Sequence, residues 1–334
     1  MTTGIRSVAV VGAGIAGLAC ATELAHAGLL VTLLEKGRRP GGRVATRRVE
    51  GVAFNHGAQF ATARGPGFGA LLAGLQAAGQ AAPWIAAGAD GRRITFIPGM
   101  SALPAMMADH AAGLGVALQT ERHAAFLHAD EVGWTIRHLS AADIRPGATA
   151  VSGGEVLPSQ DAVLIALPST QAASLLGTAT HPFADIARQA VVAPCWSVMV
   201  RFPAPAAGPD VVQDATGPVA WAAREGSRPG HAADPEAWTL HASAAWSRAH
   251  LEDDPESAGR TLLAAFRAAT GAPVPDLVLA HRWRHALVEA PVGQPCLWDP
   301  ATRIGACGDW CLGGRVEAAY DSGVSLALCV LGRT

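Results

Sequence analysis

The sequence is short of lysine and tyrosine, and it has no long apolar run. Lys36 is the only lysine among 25 basic residues, and Tyr320 is the only tyrosine among 334 residues. Basic residues never form a stretch longer than a doublet and the net charge is −2, so we expect no broad surface for nucleic acid. Half of the residues are hydrophobic, yet no run of 18 apolar residues is present, so we expect no membrane span.

The six cysteines are spaced too irregularly for a zinc knuckle or a C-x-x-C redox pair. We therefore predict free, buried thiols and no metal site. The N-terminal residues lead from a strand-like segment straight into a glycine loop, which is not the pattern of a signal peptide. This predicts a cytoplasmic protein, in which unpaired cysteines are the rule. The cysteines are Cys20, Cys195, Cys296, Cys307, Cys311 and Cys329.

The N-terminal residues follow a strand, glycine loop, helix, strand pattern. Residues 8–11 form a short apolar run typical of a strand buried on both faces, and residues 12–17 read G-x-G-x-x-G. An Ala-rich stretch then predicts a helix that runs to about Ala27. Residues 29–34 form a second apolar run, and the acidic Glu35 follows it at once. In this context the glycine segment indicates a dinucleotide-binding unit, whereas a glycine turn alone would not.

Each glycine of this loop has a physical role. Gly12 permits the tight turn, Gly14 lets the backbone approach a pyrophosphate, and Gly17 lets the helix pack on the strand. The helix N-terminus would face the phosphates, and the Glu35 carboxylate would accept the ribose hydroxyls. The predicted cofactor contacts of this segment are Gly12, Gly14, Ile15, Ala16, Gly17, Glu35 and Lys36.

Two further segments favour FAD over a nicotinamide dinucleotide. Residues 41–43 read G-G-R, and residues 55–59 read N-H-G-A-Q. Both resemble segments of FAD enzymes of the glutathione-reductase-like and amine-oxidase-like type. In those enzymes the first segment lies by the FAD phosphates and the second runs beside the flavin ring. The resemblance implies cofactor contacts from Gly41, Gly42, Arg43, His56, Gly57, Ala58 and Gln59.

The second half of the chain contains two similar features. Residues 161–168 read as a buried strand with a proline stop, and residues 303–310 read as a strand that ends in Gly-Asp. Residues 313–319 then lead into a helix that extends through Leu331. FAD oxidoreductases that these segments resemble hold a ribityl hydroxyl with such an Asp, and the helix N-terminus would favour negative charge on the flavin. The implied contacts are Ala166, Pro168, Gly308, Asp309, Arg315, Val316, Glu317 and Ala318.

Taken together, residues 238–243, 281–286, 307–311 and 313–317 resemble bacterial renalase-like FAD oxidoreductases. This resemblance implies hydride transfer from a small substrate, such as a reduced pyridine dinucleotide, with oxygen as the acceptor. We expect non-covalent FAD, although Cys307 lies close to the Gly-Asp turn and is a possible point of attachment.

The predicted fold class is α/β, with a Rossmann-like FAD-binding domain and a second, smaller α+β substrate domain, the arrangement of the flavin amine oxidases. We assign residues 1–63, 99–168 and 278–334 to the FAD-binding domain, and residues 64–98 and 169–277 to the substrate domain. Prolines and glycines are frequent in the last of these ranges, and Pro203, Pro205, Pro209 and Pro218 would break a long helix there.

Three residues are candidates for catalysis, and each has a structural alternative. If residues 281–284 form a strand, His281 and Trp283 share one face of it and face the flavin or pack in the core. Gln59 lies beside the expected position of the flavin ring. His56 and His241 are possible bases, although a lone histidine more often has a structural role.

Three functions remain open at this point. The first is an oxidase or dehydrogenase for a dihydronicotinamide dinucleotide or an isomer of it, the second is an amine oxidase or tailoring oxidase, and the third is a flavin-binding protein without turnover. Many flavin amine oxidases have a lysine near the flavin N5 and two aromatic residues, often tyrosines, around the amine. Lys36 follows Glu35 at the adenosine end, and Tyr320 is single, which argues against simple amines.

Overall fold

The structure is a computed structural model that describes residues 4–88, 90–140, 154–214 and 216–333. The chain divides into two compact units. Unit 1 comprises residues 1–42, 103–191 and 288–334, and unit 2 comprises residues 43–102 and 192–287.

The bounds of these units differ from the predicted domain ranges. Residues 43–63, 99–102 and 278–287 belong to unit 2, and residues 169–191 belong to unit 1. The physical reason for the first difference is burial, because Phe54 packs with Met199 and Ala237 in one apolar cluster of unit 2. Parts of the predicted FAD-binding domain, residues 1–3, 141–153 and 334, lie outside the described residues. The roles assigned to the two domains stay predictions.

The described residues form the following strands and helices. The strands are β1 (Ser7–Val11), β2 (Leu30–Leu34), β3 (Arg47–Val49), β4 (Val52–Phe54), β5 (Ala81–Pro83), β6 (Ile94–Phe96), β7 (Ala117–Gln119), β8 (His123–Ala129), β9 (Trp134–Leu139), β10 (Glu155–Gln160), β11 (Ala162–Ile165), β12 (Val191–Phe202), β13 (Val211–Gln213), β14 (Val219–Arg224), β15 (Glu236–Ala242), β16 (Leu277–Ala290), β17 (Leu297–Asp299) and β18 (Ile304–Ala306). The α-helices are α1 (Ile15–His26), α2 (Pro66–Ala77), α3 (Ala102–Gly113), α4 (Ser169–Thr178), α5 (Phe183–Arg188), α6 (Ala244–Ala249), α7 (Pro255–Thr270), α8 (Asp309–Leu312) and α9 (Val316–Val330).

Unit 1 is built on a six-stranded sheet in the order β17-β18-β11-β1-β2-β7. β1 pairs in parallel with β2 and β11, β11 pairs in parallel with β18, and β2 with β7. The edge strand β17 runs antiparallel to β18. β1 and β11 are almost entirely buried apolar runs, as expected for parallel strands that are covered on both faces.

Helices α1 and α9 of unit 1 pack closely against each other. A Cβ atom at Gly323 of α9 would lie 2.1 Å from the carbonyl oxygen of Ala16 in α1, so this approach requires glycine. Both helices end within one residue of the predicted position, α1 at His26 and α9 at Val330. Their extents were predictable because the helical pattern of each is local.

A smaller antiparallel sheet in the order β10-β9-β8 completes the strands of unit 1. Trp134 at the start of β9 donates its indole N–H to the carbonyl oxygen of Thr302 at 2.7 Å. This bond connects the small sheet to the turn that precedes β18 of the main sheet.

Unit 2 is built on a five-stranded sheet in the order β13-β14-β15-β12-β16. One face carries an apolar cluster that includes Trp196, Trp238 and Phe266, the last from α7. Helix α7 has clear ends, because Asp254 caps its N-terminus through the Ser257 N–H at 2.9 Å and Gly271 terminates it with a φ of +68°.

Two hairpins, β3–β4 and β5–β6, and helix α2 complete unit 2. Across the described ranges, we find no helix with the length and apolar character that a membrane span requires.

Candidate functional site

Most of the predicted cofactor residues of unit 1 lie at one edge of its main sheet. Because β1, β2, β11 and β18 are parallel, their carboxyl ends meet at this edge. The residues that follow these four strands are 12–17, 35–36, 166–168 and 307–309. In the sheet, β2 lies on one side of β1, whereas β11 and β18 lie on the other side. The end of β1 is therefore the switch point at which open α/β sheets bind ligands.

The glycine loop after β1 is closed by backbone on two sides and open on the third. A Cβ atom at Gly12, which has a φ of +105°, would lie 2.5 Å from the carbonyl oxygen of Ala166. A Cβ atom at Gly17 would lie 1.8 Å from the carbonyl oxygen of Gly12. A Cβ atom at Gly14 would meet no atom within 4 Å. The first two glycines are required by the protein itself, whereas the space at Gly14 is available to a ligand.

Helix α1 presents its N-terminus to this open space. Gly14 is the N-cap residue and has no side chain with which to bond the amides of Ile15, Ala16 and Gly17. Those amides and the helix dipole favour an anion. Gly41 donates its N–H to the carbonyl oxygen of Ala13 at 2.9 Å, which brings the second glycine pair beside the loop.

Glu35 ties the end of β2 to the glycine loop. Its carboxylate accepts the N–H groups of Ala13 at 3.0 Å and Gly37 at 2.7 Å. The carbonyl oxygen of Glu35 accepts the N–H of Arg122 at 2.9 Å, which brings residues 122–123 to the end of β2. Lys36 follows, and burial together with the Lys36 charge lowers the pKa of His123.

The Gly-Asp turn after β18 lies beside β11 at the same edge of the sheet. Cys307 donates its N–H to the carbonyl oxygen of Ile165 at 3.0 Å, and Gly308 donates to the Ser322 hydroxyl at 3.0 Å. Asp309 is 7% exposed and begins helix α8. Ala166 and Pro168 follow β11, where the Ala166 N–H continues the ladder to Val11 at 2.8 Å.

The N-terminus of α9 contains the last group of predicted contacts. Arg315 is the N-cap residue and makes no side-chain capping bond, and Val316, Glu317 and Ala318 form the first turn. The Arg315 guanidinium lies 3.6 Å from the carboxylate of Glu317, which is almost completely buried. The structure places these residues together in unit 1, and their contacts with a cofactor stay predictions.

The other predicted residues lie in unit 2, in the turn after β4. A Cβ atom at Gly57 would lie 2.0 Å from the carbonyl oxygen of Arg43, which explains the glycine at that position. Ala58 donates its N–H to the same oxygen at 2.9 Å, and Arg43 donates a guanidinium N–H to the carbonyl oxygen of Ala286 at 3.2 Å. The backbone of residues 57–58 is thus held by residue 43.

His56, His281 and Trp283 form an aromatic cluster in unit 2. The His56 ring stacks on Trp283 with centroids 5.2 Å apart, and it meets the His281 ring edge-on at 5.1 Å. The His281 and Trp283 rings are themselves 4.4 Å apart, which confirms that these residues share one face of β16. Arg284, on the opposite face, forms an ion pair with Glu252 instead.

The carbonyl oxygen of His56 is the centre of a second set of contacts. It accepts the Trp283 indole N–H at 2.8 Å and lies 3.2 Å from Nε2 of His241. The Nδ1 atom of His56 is buried and has no hydrogen-bond partner within the described residues. An unsatisfied buried ring nitrogen is unusual and makes His56 a candidate for contact with a ligand.

Three neighbouring histidines, His56, His241 and His281, are neutral at physiological pH. Burial, and then the neighbouring His281, lower the pKa of His56 from 6.5 to about 4. Burial lowers the pKa of His241 from 6.5 to about 4 as well. Burial, with the charge of Arg47, also lowers the pKa of His281. None of these three is therefore a proton donor near pH 7.

The Gln59 side chain is held by five hydrogen-bond partners, of which His241 Nε2 is the most distant, at 3.4 Å from the side-chain nitrogen. Its side-chain oxygen accepts from Arg228 Nη2 at 2.6 Å and from the Trp221 indole at 3.2 Å. Its side-chain nitrogen donates to the carbonyl oxygens of Asn55 and Gly57. This arrangement uses the hydrogen-bonding capacity of the amide, which favours a structural role for Gln59, and its catalytic role stays a prediction.

A buried ion pair that the sequence did not reveal lies behind Gln59. Arg228 Nε is 2.9 Å from Glu225 Oε2, and both side chains are almost completely buried. The guanidinium stacks over the Trp84 ring at 3.7 Å. Glu225 accepts further bonds from the Asn55 N–H at 2.8 Å and from the Thr239 hydroxyl at 2.6 Å.

The described residues contain no group of three or more His, Cys, Asp or Glu side chains arranged to hold a metal ion.

We expect folded unit 2 to lose stability as the pH falls from about 6.5 to about 4. The folded pKa of His56 is about 4 and the ordinary value is 6.5, so the unfolded chain binds more protons between these values. At pH 5 this difference costs about 2 kcal/mol for His56, and His241 adds to it. Urea unfolding of the wild type and of His56→Phe at pH 7 and pH 5 measures the effect.

In this comparison the variant should lose less stability on acidification, because it lacks the titrating ring. His128→Asn is the matched control, since His128 is exposed on β8. An unfolding free energy that depends on pH equally in all three proteins would contradict the prediction.

Comparison with known proteins agrees with this architecture. Residues 10–75 match the family of NAD(P)-binding Rossmann-like domains. Protoporphyrinogen oxidase 2 of Arabidopsis thaliana is 42% identical over 67 residues, which cover 20% of this chain and 13% of that protein. The chain matches only 6–13% of the length of these curated relatives.

Solved structures match over the whole chain at low identity. A candidate protoporphyrinogen oxidase from Exiguobacterium sp. 255-15 has a TM-score of 0.75 at 14% identity, with 98% of this chain and 99% of that chain covered. Cyclohexylamine oxidase from Brevibacterium oxydans IH-35A has a TM-score of 0.67 at 14% identity, with the same coverage. The chain therefore has the mixed α/β fold of these oxidase structures, with a Rossmann-type domain at its N-terminus, as the sequence predicted.

Proposed function

We propose that the protein is an FAD-dependent oxidoreductase that takes a hydride from a small reduced substrate, preferably a dihydronicotinamide dinucleotide or an isomer of it. The observation that carries the proposal is the open space at Gly14, inside a loop that backbone otherwise closes. That space lies at the α1 N-terminus and at the switch point of the sheet, where a pyrophosphate would be bound.

FAD is preferred to a nicotinamide cofactor for two reasons. The Gly41-Gly42 segment lies beside the glycine loop, and the Gly-Asp turn lies at the same sheet edge, as in the FAD enzymes that the sequence resembles. The named oxidases among the similar proteins point in the same direction. When bound, FAD would accept a hydride at its N5 atom and pass electrons to oxygen.

We infer that FAD is held without a covalent bond. Burial raises the pKa of the Cys307 thiol far above its usual range, so the nucleophilic thiolate is scarce there. Residues 12–17, Glu35 and Asp309 would hold the dinucleotide through amide and carboxylate contacts.

The residues of unit 2 are suited to binding and to exclusion of water more than to proton transfer. Burial lowers the pKa of His56 and of His241 to about 4, so both rings are weak bases, and Gln59 is fully hydrogen-bonded. A dihydronicotinamide donor gives up a hydride and no N–H proton, so its oxidation requires no strong protein base. The aromatic cluster of His56, His281 and Trp283 would supply apolar contacts to such a ring.

The composition of the chain argues against simple amines. Lys36, the single lysine, follows Glu35 at the end of β2 and near His123. In the proposal this position is the adenosine end of FAD, so Lys36 does not serve the reacting end. Tyr320 is the single tyrosine and lies in α9, so a cage of two tyrosines is excluded.

An amine or tailoring oxidase is the second candidate, because the fold is shared with a cyclohexylamine oxidase. A flavin-binding protein without turnover is the third. The three candidates differ in which donors bleach the bound flavin, and the third predicts that no donor does.

Reduction of the purified protein under anaerobic conditions tests the proposal. We expect a flavin spectrum whose colour is released on acid precipitation, and fast bleaching by a reduced dinucleotide or its isomers. Simple primary amines and polyamines should bleach it slowly or not at all. Rapid bleaching by a monoamine or polyamine, with no response to dinucleotides, would establish the second candidate instead.

A further inference from the structure

Two cysteines of unit 1 that the proposed function does not use are in direct contact. Cys296 immediately precedes β17, and Cys329 lies in the last turn of α9. Their Sγ atoms are 3.7 Å apart, although 33 residues separate them in the chain. Both are free thiols. This contact is a candidate site of modification.

We propose that Cys296 and Cys329 form a dithiol that a hydroperoxide oxidises to a disulfide. In the first step the Cys329 thiolate attacks a peroxide oxygen, the O–O bond breaks, and a sulfenic acid and water result. In the second step the Cys296 thiolate attacks the Cys329 sulfur, the S–O bond breaks, and water leaves. Two thiols and one hydrogen peroxide thus give one disulfide and two water molecules.

The geometry requires only a small movement. A disulfide has an S–S length of about 2.05 Å, so the sulfurs must approach by about 1.6 Å from their present contact. Both residues lie at the ends of elements, one just before a strand and the other in the last turn of a helix. Such ends adjust at lower cost than the middle of an element.

The exposure of the two thiols sets the order of the steps. Cys296 is 8% exposed, and burial together with the neighbouring Cys329 raises its pKa far above the usual range. Cys329 is half-buried, so a dissolved oxidant meets it first. The contact between the sulfurs then gives Cys296 the high effective concentration that a rarely ionised thiol requires.

The disulfide would connect the edge strand β17 to α9. Strand β17 pairs with β18, which leads to Gly308 and Asp309, and α9 packs on α1. A covalent link would therefore restrain the elements that surround the predicted cofactor residues of unit 1. Hydrogen peroxide would also be the product of the proposed oxidase. Only this possible source of the oxidant rests on the proposed function.

Added hydrogen peroxide tests the inference on the purified full-length protein. We expect the intact mass to fall by about 2 Da, and two of the six thiols to disappear in a denaturing thiol count. The apparent melting temperature should rise and should return to its first value with dithiothreitol. Cys296→Ser and Cys329→Ser should each abolish the mass change, and Cys195→Ser in unit 2 should leave it intact.

A gain of about 32 Da at Cys329 without the loss of 2 Da, six thiols retained, or a disulfide mapped to another pair would overturn the inference. Intact mass and disulfide mapping of the wild type decide this, even if a serine variant does not fold. Because the peroxide is added, the result does not depend on turnover, and a failure here is distinguishable from a failure of the proposed function.

Discussion

Gly14→Ala is expected to abolish tight FAD binding and to leave the protein folded. The new methyl group would meet no protein atom within 4 Å, and Gly14 has a φ of −76° that alanine adopts without strain. The methyl would occupy the space in which a pyrophosphate approaches the α1 amides. Loss of one charge-assisted hydrogen bond costs about 1.5–3 kcal/mol, which weakens binding roughly 10- to 100-fold. Titration of the apoprotein with FAD measures this change.

Two other glycines provide matched controls for this experiment. Gly17→Ala places a Cβ atom 1.8 Å from the Gly12 carbonyl oxygen, so it should destabilise the fold itself by about 3 kcal/mol. Gly74→Ala adds a methyl in open space on α2, so it should leave FAD binding unchanged and should stabilise the fold by up to about 1 kcal/mol. Unchanged FAD affinity in a folded Gly14→Ala protein would remove the main support for the proposed cofactor site.

The parts of unit 1 that the sequence predicted have local signals. Residues 8–35 contain the strand, loop, helix and second strand in immediate succession, so periodicity and glycine spacing were sufficient to identify them. The shared face of His281 and Trp283 followed from strand alternation alone. The position of residues 43–63 was not predictable in this way, because it depends on contacts such as that of Phe54 with Met199.

The buried pair of Glu225 and Arg228 illustrates what sequence spacing cannot reveal. Asp185 and Arg188 have the same spacing of three residues and also form an ion pair, but both are largely exposed. Burial distinguishes the two pairs, and burial arises from distant residues such as Trp84 and Thr239. A charge pattern therefore predicts both ion pairs, but it does not reveal which of them matters for stability.

Arg228→Met should be among the most destabilising single changes in unit 2. It would leave the Glu225 carboxylate, which is 2% exposed, without its cation, and it would deprive Gln59 of a donor. Breaking a buried ion pair by removal of one partner typically costs about 3–5 kcal/mol. Urea unfolding monitored by tryptophan fluorescence at pH 7 measures the loss.

A double-mutant cycle separates the ion pair from simple packing. Glu225→Gln removes the charge that Arg228→Met leaves unpaired, so the double variant should be more stable than the sum of the two single changes by about 1–3 kcal/mol. Arg260→Met is the matched control, because Arg260 pairs with Glu256 on the exposed face of α7, where an ion pair contributes at most about 1 kcal/mol. If Arg228→Met were no more destabilising than Arg260→Met, or if the two changes in the pair were simply additive, the pair would not be the element that holds Gln59 and residues 55–59 in place.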